Sequence, residues 1–550
     1  MKKTFLYIIL ILSSSFAFSQ ATMVKDIKIG GSGSSIINIT SVNNKIFFRA
    51  DDGIHGTEVW VSDGTNTGTN LLKDVHFGSG DSFIPSYTQG GDMINLNDTL
   101  LFSALGSSTD GVELWKSDGT DSGTVMIKDI NPGFSFSSPS FMTKVNGTVF
   151  FVANTANEGI ELWKTDGTTS GTVLVKDIYS GTSSSSPTNL ININGLLYFS
   201  ADDGINGKEL WKSDGTNTGT IMVKDISPGN ASTLLGNMTN LNDTLLFTAN
   251  DGVQGLELWK SDGTAIGTNI VKDIYPGSQS AFNAIGLPNV YLVEVNGAIF
   301  FSAYDGTNGL ELWKSNGTNS GTIMVKDIFA GNNSSWPSPL SLTNVNNVLF
   351  FAANEGINGY ELWKSDGTTS GTSMVKDILT GSSPSNLQNF YNFNNTLFFS
   401  ADNGVNGTEL WQSNGILSGT NLLQDIFLGT NGSNAYNLCN ANGVLFFSAN
   451  NGTHGAELWK YDPLSTDLID SFNNNELNIF PNPTIDKITI NNAAAGSLIK
   501  IIDFSGKTVQ RYVVKDSTFS CDLSTLANGI YFINVQNKDI IINKKIIVSR

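Results

Sequence analysis

The sequence predicts an all-β protein: a closed β-propeller of about nine four-stranded blades, followed by a small C-terminal β-sandwich. Three observations predict it. First, an octet like Glu209–Thr216, ELWKSDGT, recurs nine times, counted by Trp60, Trp115, Trp163, Trp211, Trp259, Trp313, Trp363, Trp411 and Trp459. Successive copies lie 55, 48, 48, 48, 54, 50, 48 and 48 residues apart. A fixed period of that size marks stacked or circular repeats. Second, the chain is rich in Gly, Asn, Asp, Ser and Thr, poor in Pro, and sustains no helical period. Third, the repeat region is permuted at its ends. Met23–Ile27 copies the fourth-strand motif Met222–Ile226 with no third strand before it, and the last copy breaks after Lys460 into Tyr461-Asp462-Pro463 with no fourth strand after it. The first segment would complete the last unit and remove two open sheet edges at once.

Taken in order, residues 1–19 read as a secretory leader. Lys2 and Lys3 precede the apolar run Phe5–Leu12, and Ala17 and Ser19 are the small residues before a cut after Ser19. The apolar run is too short to span a bilayer, and no later segment is long and apolar enough, so no membrane span is expected in the mature chain. Residues 20–462 form the repeat region. In the unit around Trp211, strands are expected at Leu190–Ile193, Leu196–Ala201, Glu209–Lys212 and Thr220–Ile226. Asn194-Gly195 and the Asp203–Gly207 stretch supply the turns between them, since such residues reach positive φ at low cost. Two units are long, with extra residues within Gly78–Met93 and Ser278–Val290, and such insertions usually grow as loops on one face. Residues 463–475 are polar and read as a linker. In 476–550, strands are expected at Leu477–Phe480, Lys487–Ile490, Leu498–Asp503, Thr508–Val514, Ile530–Val535 and Ile540–Ile547.

Composition excludes several function classes. A net charge of −18 opposes binding to nucleic acid or anionic membranes, which needs clustered Lys and Arg. Cys439 and Cys521 fall in different expected domains, which argues against a structural disulfide. Arg49 is the sole arginine of the repeats, too few for a carboxylate clamp, and neither a Gly-x-Ser-x-Gly nor a His-Glu-x-x-His motif occurs. No catalytic residue and no metal-ligand set is expected.

The nine octets, most followed by Gly-Thr and a strand like Met222–Ile226, resemble the ELWxxDGT repeat family of secreted bacterial proteins. The resemblance covers roughly residues 23–462 and implies a surface or secreted repeat protein with no defined reaction. The tail resembles the type A C-terminal sorting domain of type IX secretion substrates. It carries Leu477–Pro483 with Pro481, Asn482 and Pro483, then Ile502–Lys507, Leu526–Phe532 with Gly529 and Tyr531, and Lys544–Val548 with Lys544 and Lys545. That resemblance implies a Bacteroidetes-type cell, the type IX machinery as partner, passage through the outer membrane, removal of the tail, and release or surface attachment.

The repeated Trp stands mid-strand in every unit, where a large ring is expected to pack between neighbouring units. Trp336 lies outside that register and is the candidate for an exposed ligand contact. Asp203, Asp214, Asp251 and Asp262 are candidate ligand-binding oxygens, and Asp-rich loops can hold Ca²⁺. Against a metal, Asn316 and Asn414 replace the Asp of the octet in two copies, as a turn tolerates, and no cofactor is expected. The Glu two residues before each Trp recurs from Glu58 to Glu457, and the fourth-strand Lys recurs in eight units with Gln424 as the exception. The two are expected to pair as ions. The function expected from these features is non-enzymatic binding or adhesion at the cell surface, to a glycan or a surface protein. A secreted carbohydrate-active enzyme with a carboxylate pair and a structural surface-layer element are the rivals.

Overall fold

In a computed structural model, the described residues are 20–83, 93–106, 109–282, 291–337, 341–463, 478–491, 496–503, 507–515, 518–537 and 540–550. The expected leader, most of the expected linker and the greater part of both expected insertions lie outside them. The chain divides into two compact units, one of Ala21–Tyr461 and one containing residues 462–550.

Among the described residues of the first unit, nine antiparallel sheets of four strands each account for the strands. This is an all-β arrangement consistent with propeller-like folds. The Trp211 sheet is typical: Thr188–Ile193, Leu196–Asp202, Lys208–Ser213 and Ile221–Lys224, hydrogen-bonded in chain order. Asn194 and Gly195 take φ of 48° and 83°, the paired left-handed conformation that a two-residue hairpin needs. The second strand is apolar on both sides because a sheet lies against each of its faces. Leu197 and Phe199 meet Leu162 and Phe150 of the preceding sheet, while Tyr198 meets Leu245 and Phe247 of the next. Trp211 packs into the first of those layers and is buried, as are the other eight Trp of the octets. Burial of the ring between sheets is therefore the role the repeated Trp plays.

The sheet of Tyr436–Ala441, Val444–Asn450 and Ala456–Tyr461 takes its fourth strand from the start of the chain, Ala21–Lys25, with Ala21 opposite Tyr461 and Met23 opposite Trp459. The first strands of successive sheets are neighbours along the series, and the strand Ile37–Val42 also touches Tyr436–Ala441. Every strand pair is antiparallel. Connections from second to third strand, and from fourth to the next first, therefore emerge at one end of the sheets. The short first-to-second turns and the Asp-Gly-Thr loops emerge at the other.

The expected Glu–Lys ion pairs do not form. Lys224 lies directly opposite Leu210, so it shares Leu210's face of the sheet, whereas Glu209 is one residue away on the other face. The Lys instead joins sheet to sheet. Lys224 Nζ donates to the Thr268 carbonyl of the next sheet at 2.7 Å and lies 5.8 Å from the centre of the Trp259 ring. Lys25, Lys128, Lys176, Lys272, Lys326 and Lys376 repeat both contacts.

Gln424 departs from this pattern for a physical reason. The sheet that follows it has Ala21–Lys25 as fourth strand and so has no Gly-Thr loop to offer a carbonyl. It offers an N–H: Ala21 N donates to Gln424 Oε1 at 3.0 Å. A carboxamide can accept that bond and an ammonium cannot.

The second unit holds a three-stranded sheet (Asn478–Phe480, Lys487–Asn491, Thr518–Asp522) and a four-stranded one ordered Thr508–Val513, Leu498–Asp503, Gly529–Asn537, Ile540–Val548. Both contribute to one core, with Ile488, Ile490 and Cys521 from the first and Ile499, Ile501, Ile533 and Ile546 from the second. The strand Thr518–Asp522 was not expected from the sequence.

Gln424→Lys is expected to set an ammonium against the Ala21 N–H and to lower stability by about 1–3 kcal/mol, the cost of an unmatched buried donor. Thermal melts of the variant beside Lys376→Gln check it. A Gln424→Lys melt unchanged from the parent would remove this account of the exception.

Candidate functional site

The feature every repeat shares is a carboxylate with no basic partner. Glu209 is fully buried at the start of its strand. Its Oε2 accepts from Ile226 N at 2.9 Å, and its Oε1 accepts from Ser227 N at 3.3 Å and from Thr233 Oγ1 at 2.6 Å. The first two donors open the connection to the next sheet, and the third closes it. One side chain thus ties down a whole connection by charge-assisted bonds. Glu113, Glu161, Glu311 and Glu409 repeat the arrangement with Ser137, Ser185, Ser335 and Ser433 as hydroxyl donors. Glu457 repeats it across the ends of the chain, accepting from Ile27 N at 3.0 Å and Ser34 Oγ at 2.7 Å.

Burial pushes Glu58, Glu113, Glu209, Glu311, Glu361 and Glu457 up to about 7, against the pull of their hydrogen-bond donors. Burial carries Glu257 further, to about 8. Its connection has Ala281 where the others have Ser or Thr, and only backbone donors remain: Ile274 N at 2.8 Å, Tyr275 N at 3.3 Å and Ala281 N at 3.0 Å.

The four candidate Asp fall at opposite ends of the sheets, Asp203 and Asp251 half-buried and Asp214 and Asp262 exposed. Asp203 and Asp251 sit in second-to-third-strand turns. Asp203 Oδ1 accepts from Ile205 N at 2.9 Å and Asn206 N at 2.8 Å, and Asp251 Oδ1 accepts from Val253 N and Gln254 N at 2.8 Å. Asp214 and Asp262 sit in Asp-Gly-Thr loops at the far end. The Oδ1 of each accepts a backbone N–H at 2.8 Å and a Thr hydroxyl at 2.7 Å, from Thr216 and Thr264. Asn316 makes the same two bonds to Thr318, so turn geometry accounts for the Asp–Asn interchange. The structure does not bring these four Asp to one place. Among the described residues, no group of three or more His, Cys, Asp and Glu is arranged to hold a metal ion.

Trp336 is not outside the repeat. It has φ of 46° and donates its N–H to Leu310 O at 3.3 Å, just as Ser186 (φ 45°) donates to Ile160 O and Asn434 (φ 48°) to Thr408 O. It is the copy of a left-handed loop position, half-buried, at the same end as Asp203 and Asp251. Sequence spacing missed this because the loop's own landmark is the preceding residue, the Ser that binds the buried Glu. Arg49 is buried with its guanidinium 3.7 Å from the centre of the Phe83 ring.

In the second unit, the expected sorting residues gather on the last strand. Asn482, between Pro481 and Pro483, donates through Nδ2 to Lys545 O at 2.8 Å and accepts through Oδ1 from Ile547 N at 2.9 Å. Gly529 lies opposite Val548, Lys544 opposite Ile533 and Lys545 opposite Phe532. Tyr531 is buried, and its hydroxyl donates to Ala527 O at 3.0 Å.

Residues 478–549 match the family model of the secretion system C-terminal sorting domain. The match points to export by type IX secretion, to the cell surface or outside. No helix among the described residues is long and apolar enough to cross a membrane. No curated protein matches the chain. Among solved structures, the chain is similar to PorZ, an essential bacterial surface component of the type IX secretion system of Porphyromonas gingivalis, at 13% identity over 94% of this chain and 75% of that one, with a TM-score of 0.25. It is similar to a puromycin-hydrolyzing peptidase of Mycobacterium tuberculosis at 10% identity over 70% of this chain, with a TM-score of 0.35, and spans 61% of that chain. The β-propeller domain of the trilobed protease from Pyrococcus furiosus is similar at 7% identity over 63% of this chain and 98% of its own, with a TM-score of 0.28. Likenesses at this level assign no function.

A carboxyl group raised on folding binds more protons folded than unfolded. Its contribution to stability is complete below the unfolded value near 4.5 and is lost as pH rises through about 7. The melting temperature of the repeat unit is therefore expected to fall between about pH 5 and pH 8. A flat or rising curve overturns this. Ala281→Ser restores the missing hydroxyl and is expected to add about 0.5–1.5 kcal/mol, with a larger gain at pH 8 than at pH 5. Melts of the variant at both pH values read it.

Proposed function

We propose that this chain is a non-enzymatic binding or adhesion scaffold, exported by type IX secretion and displayed or released outside the cell. In this reading the repeat unit, residues 20–462, is a closed propeller of nine blades and residues 476–550 are the sorting domain. The nine sheets, the pairing of Ala21–Lys25 with Ala456–Tyr461, and the contact between the strands Ile37–Val42 and Tyr436–Ala441 support closure. The match at residues 478–549 supports the route of export.

One observation carries the binding reading. The carboxylate present in every repeat is buried and bonded to the protein's own donors, backbone N–H groups in each and a hydroxyl in most. A catalytic acid or base must reach the proton it moves, and these Glu face the loops that they hold. What the repeats present outward is a ring of similar connections. Repetition of one weak contact raises avidity by roughly 10²–10⁴ without any single strong site.

A glycan-array screen of the purified secreted chain, with and without calcium, combined with hydrolysis assays on the same glycans, is the direct test. Specific binding without turnover is expected. Turnover of a bound glycan would establish the enzyme instead. Binding abolished by chelation would return Ca²⁺ to the Asp loops. Silence throughout, with ordered self-assembly, would support a surface-layer element.

A further inference from the structure

The two ends of the sheets differ in one respect that folding does not explain. At the end bearing the second-to-third-strand turns, Ile54, Ile205, Val253, Ile357 and Val405 occupy the same turn position and are 67–73% exposed. The glycine before each tip is dictated by the backbone, with φ of 76–91° at Gly53, Gly204, Gly252, Gly356 and Gly404, and at Gly204 a Cβ would also stand 2.4 Å from the Tyr179 ring of the preceding connection. The aliphatic side chain at the tip is not dictated. Thr307 and Thr453 hold the same position in two other sheets, with the same Asx bonding of the turn. Their presence shows that a polar residue folds there equally well. The long connections at this end add Ile29, Phe77 and Leu428, each more than 80% exposed. The Asp-Gly-Thr loops at the opposite end carry large exposed apolar residues only at Ile266, Ile416 and Leu417 among the described residues. One exposed apolar side chain needs no explanation, but its recurrence at one turn position in five sheets is what an interaction surface would account for.

The charge around these tips selects the partner. Asp52, Asp203, Asp251, Asp305 and Glu355 stand two residues before tip positions. Among these, Asp203 and Asp305 are drawn below the usual carboxylate range: burial opposes this, but the backbone N–H donors of their turns outweigh it. They therefore remain anionic through the neutral and mildly acidic range. The connections at this end contain Lys28 as their only Lys or Arg, with Lys208 on the first strand residue after one of them, and Lys28 is already paired with Asp51 at 2.5 Å. An anionic membrane or a second copy of the same face would be repelled. A neutral sugar would gain no hydrogen bond from the five aliphatic side chains, so a glycan would have to bind elsewhere on the chain.

We infer that this end of the repeat unit docks a cationic, apolar polypeptide, whose aliphatic side chains meet the ring of tips and whose Lys or Arg meet the carboxylates beside them. The inference rests on the binding reading above and names its face and partner class. Apolar contact would supply affinity and complementary charge the orientation and rate.

Fluorescence anisotropy with the full secreted chain tests it, using three probes: a synthetic peptide alternating Leu and Lys, its Leu–Glu counterpart, and polylysine. Binding of the Leu–Lys peptide, weakened by salt, is expected, with no binding of the Leu–Glu peptide. A variant combining Ile54→Thr, Ile205→Thr, Val253→Thr, Ile357→Thr and Val405→Thr should weaken it about tenfold or more without lowering the melting temperature. The control Ile266→Thr, Ile416→Thr, Leu417→Thr at the opposite end should leave it unchanged. Equal binding of polylysine, an unaffected five-site variant, or self-association abolished by that variant would each overturn the inference. If the peptides fail but glycans still bind, the face and partner are wrong while the binding reading stands. If neither binds, both fall.

Discussion

Connections between sheets are ordinarily where a β-protein is loosest, because their backbone groups lack ladder partners. Here a buried Glu beside the Trp of each repeat supplies those partners. Glu209 receives two backbone N–H groups at the start of its connection and a hydroxyl at its end, so the five residues between Ser227 and Thr233 are bracketed by a single carboxylate. The Trp two residues on packs against the preceding sheet. The fourth-strand Lys reaches forward to the next sheet's Thr carbonyl and Trp ring. Three side chains of one motif thus act in three directions: inward to the loop, back and forward. The design needs no ion pair, and its carboxyl group is met by N–H and O–H dipoles rather than by a cation.

This division of labour explains which parts of the architecture could be read from the residues. The Trp interval and the Asn-Gly turns revealed the strands of the repeat because both reflect local necessity: a large ring in a two-sided layer, and positive φ in a tight hairpin. Opposite charges recurring at fixed spacing suggested Glu–Lys pairs. That reading failed because strand alternation is counted from the ladder, and a register shift between Leu210 and Trp211 in the pairing with the fourth strand sets Lys224 opposite Leu210. In the tail, Thr518–Asp522 escaped notice since its two apolar residues, Phe519 and Cys521, sit among Ser, Thr and Asp.

The exposed surface was less legible. An Ile between Gly and Asn in a turn reads as filler in any single copy, and its meaning emerges only when exposure and the Thr copies are set side by side. Trp336 posed the reverse problem. A large aromatic drew attention to itself, yet its backbone occupies a position that Ser186 and Asn434 fill elsewhere. Likewise Asp214 and Asp262 looked like ligand oxygens, and each closes its own loop through a Thr.

The sheet completed by Ala21–Lys25 also constrains how the molecule can come into being. The bond from Ile27 to Glu457 joins residues 430 apart in the chain. Hairpins within each repeat are local and can form as soon as they are made, but the final sheet must wait until the last repeat exists. Until then the last sheet has a bare strand edge and the first segment is an unclaimed strand, a state prone to pairing with the wrong neighbour. The entropy of bringing such distant ends together grows only slowly with length. Ordered, stacked repeats would already hold those ends near each other, so the earlier sheets act as the template on which the last one closes.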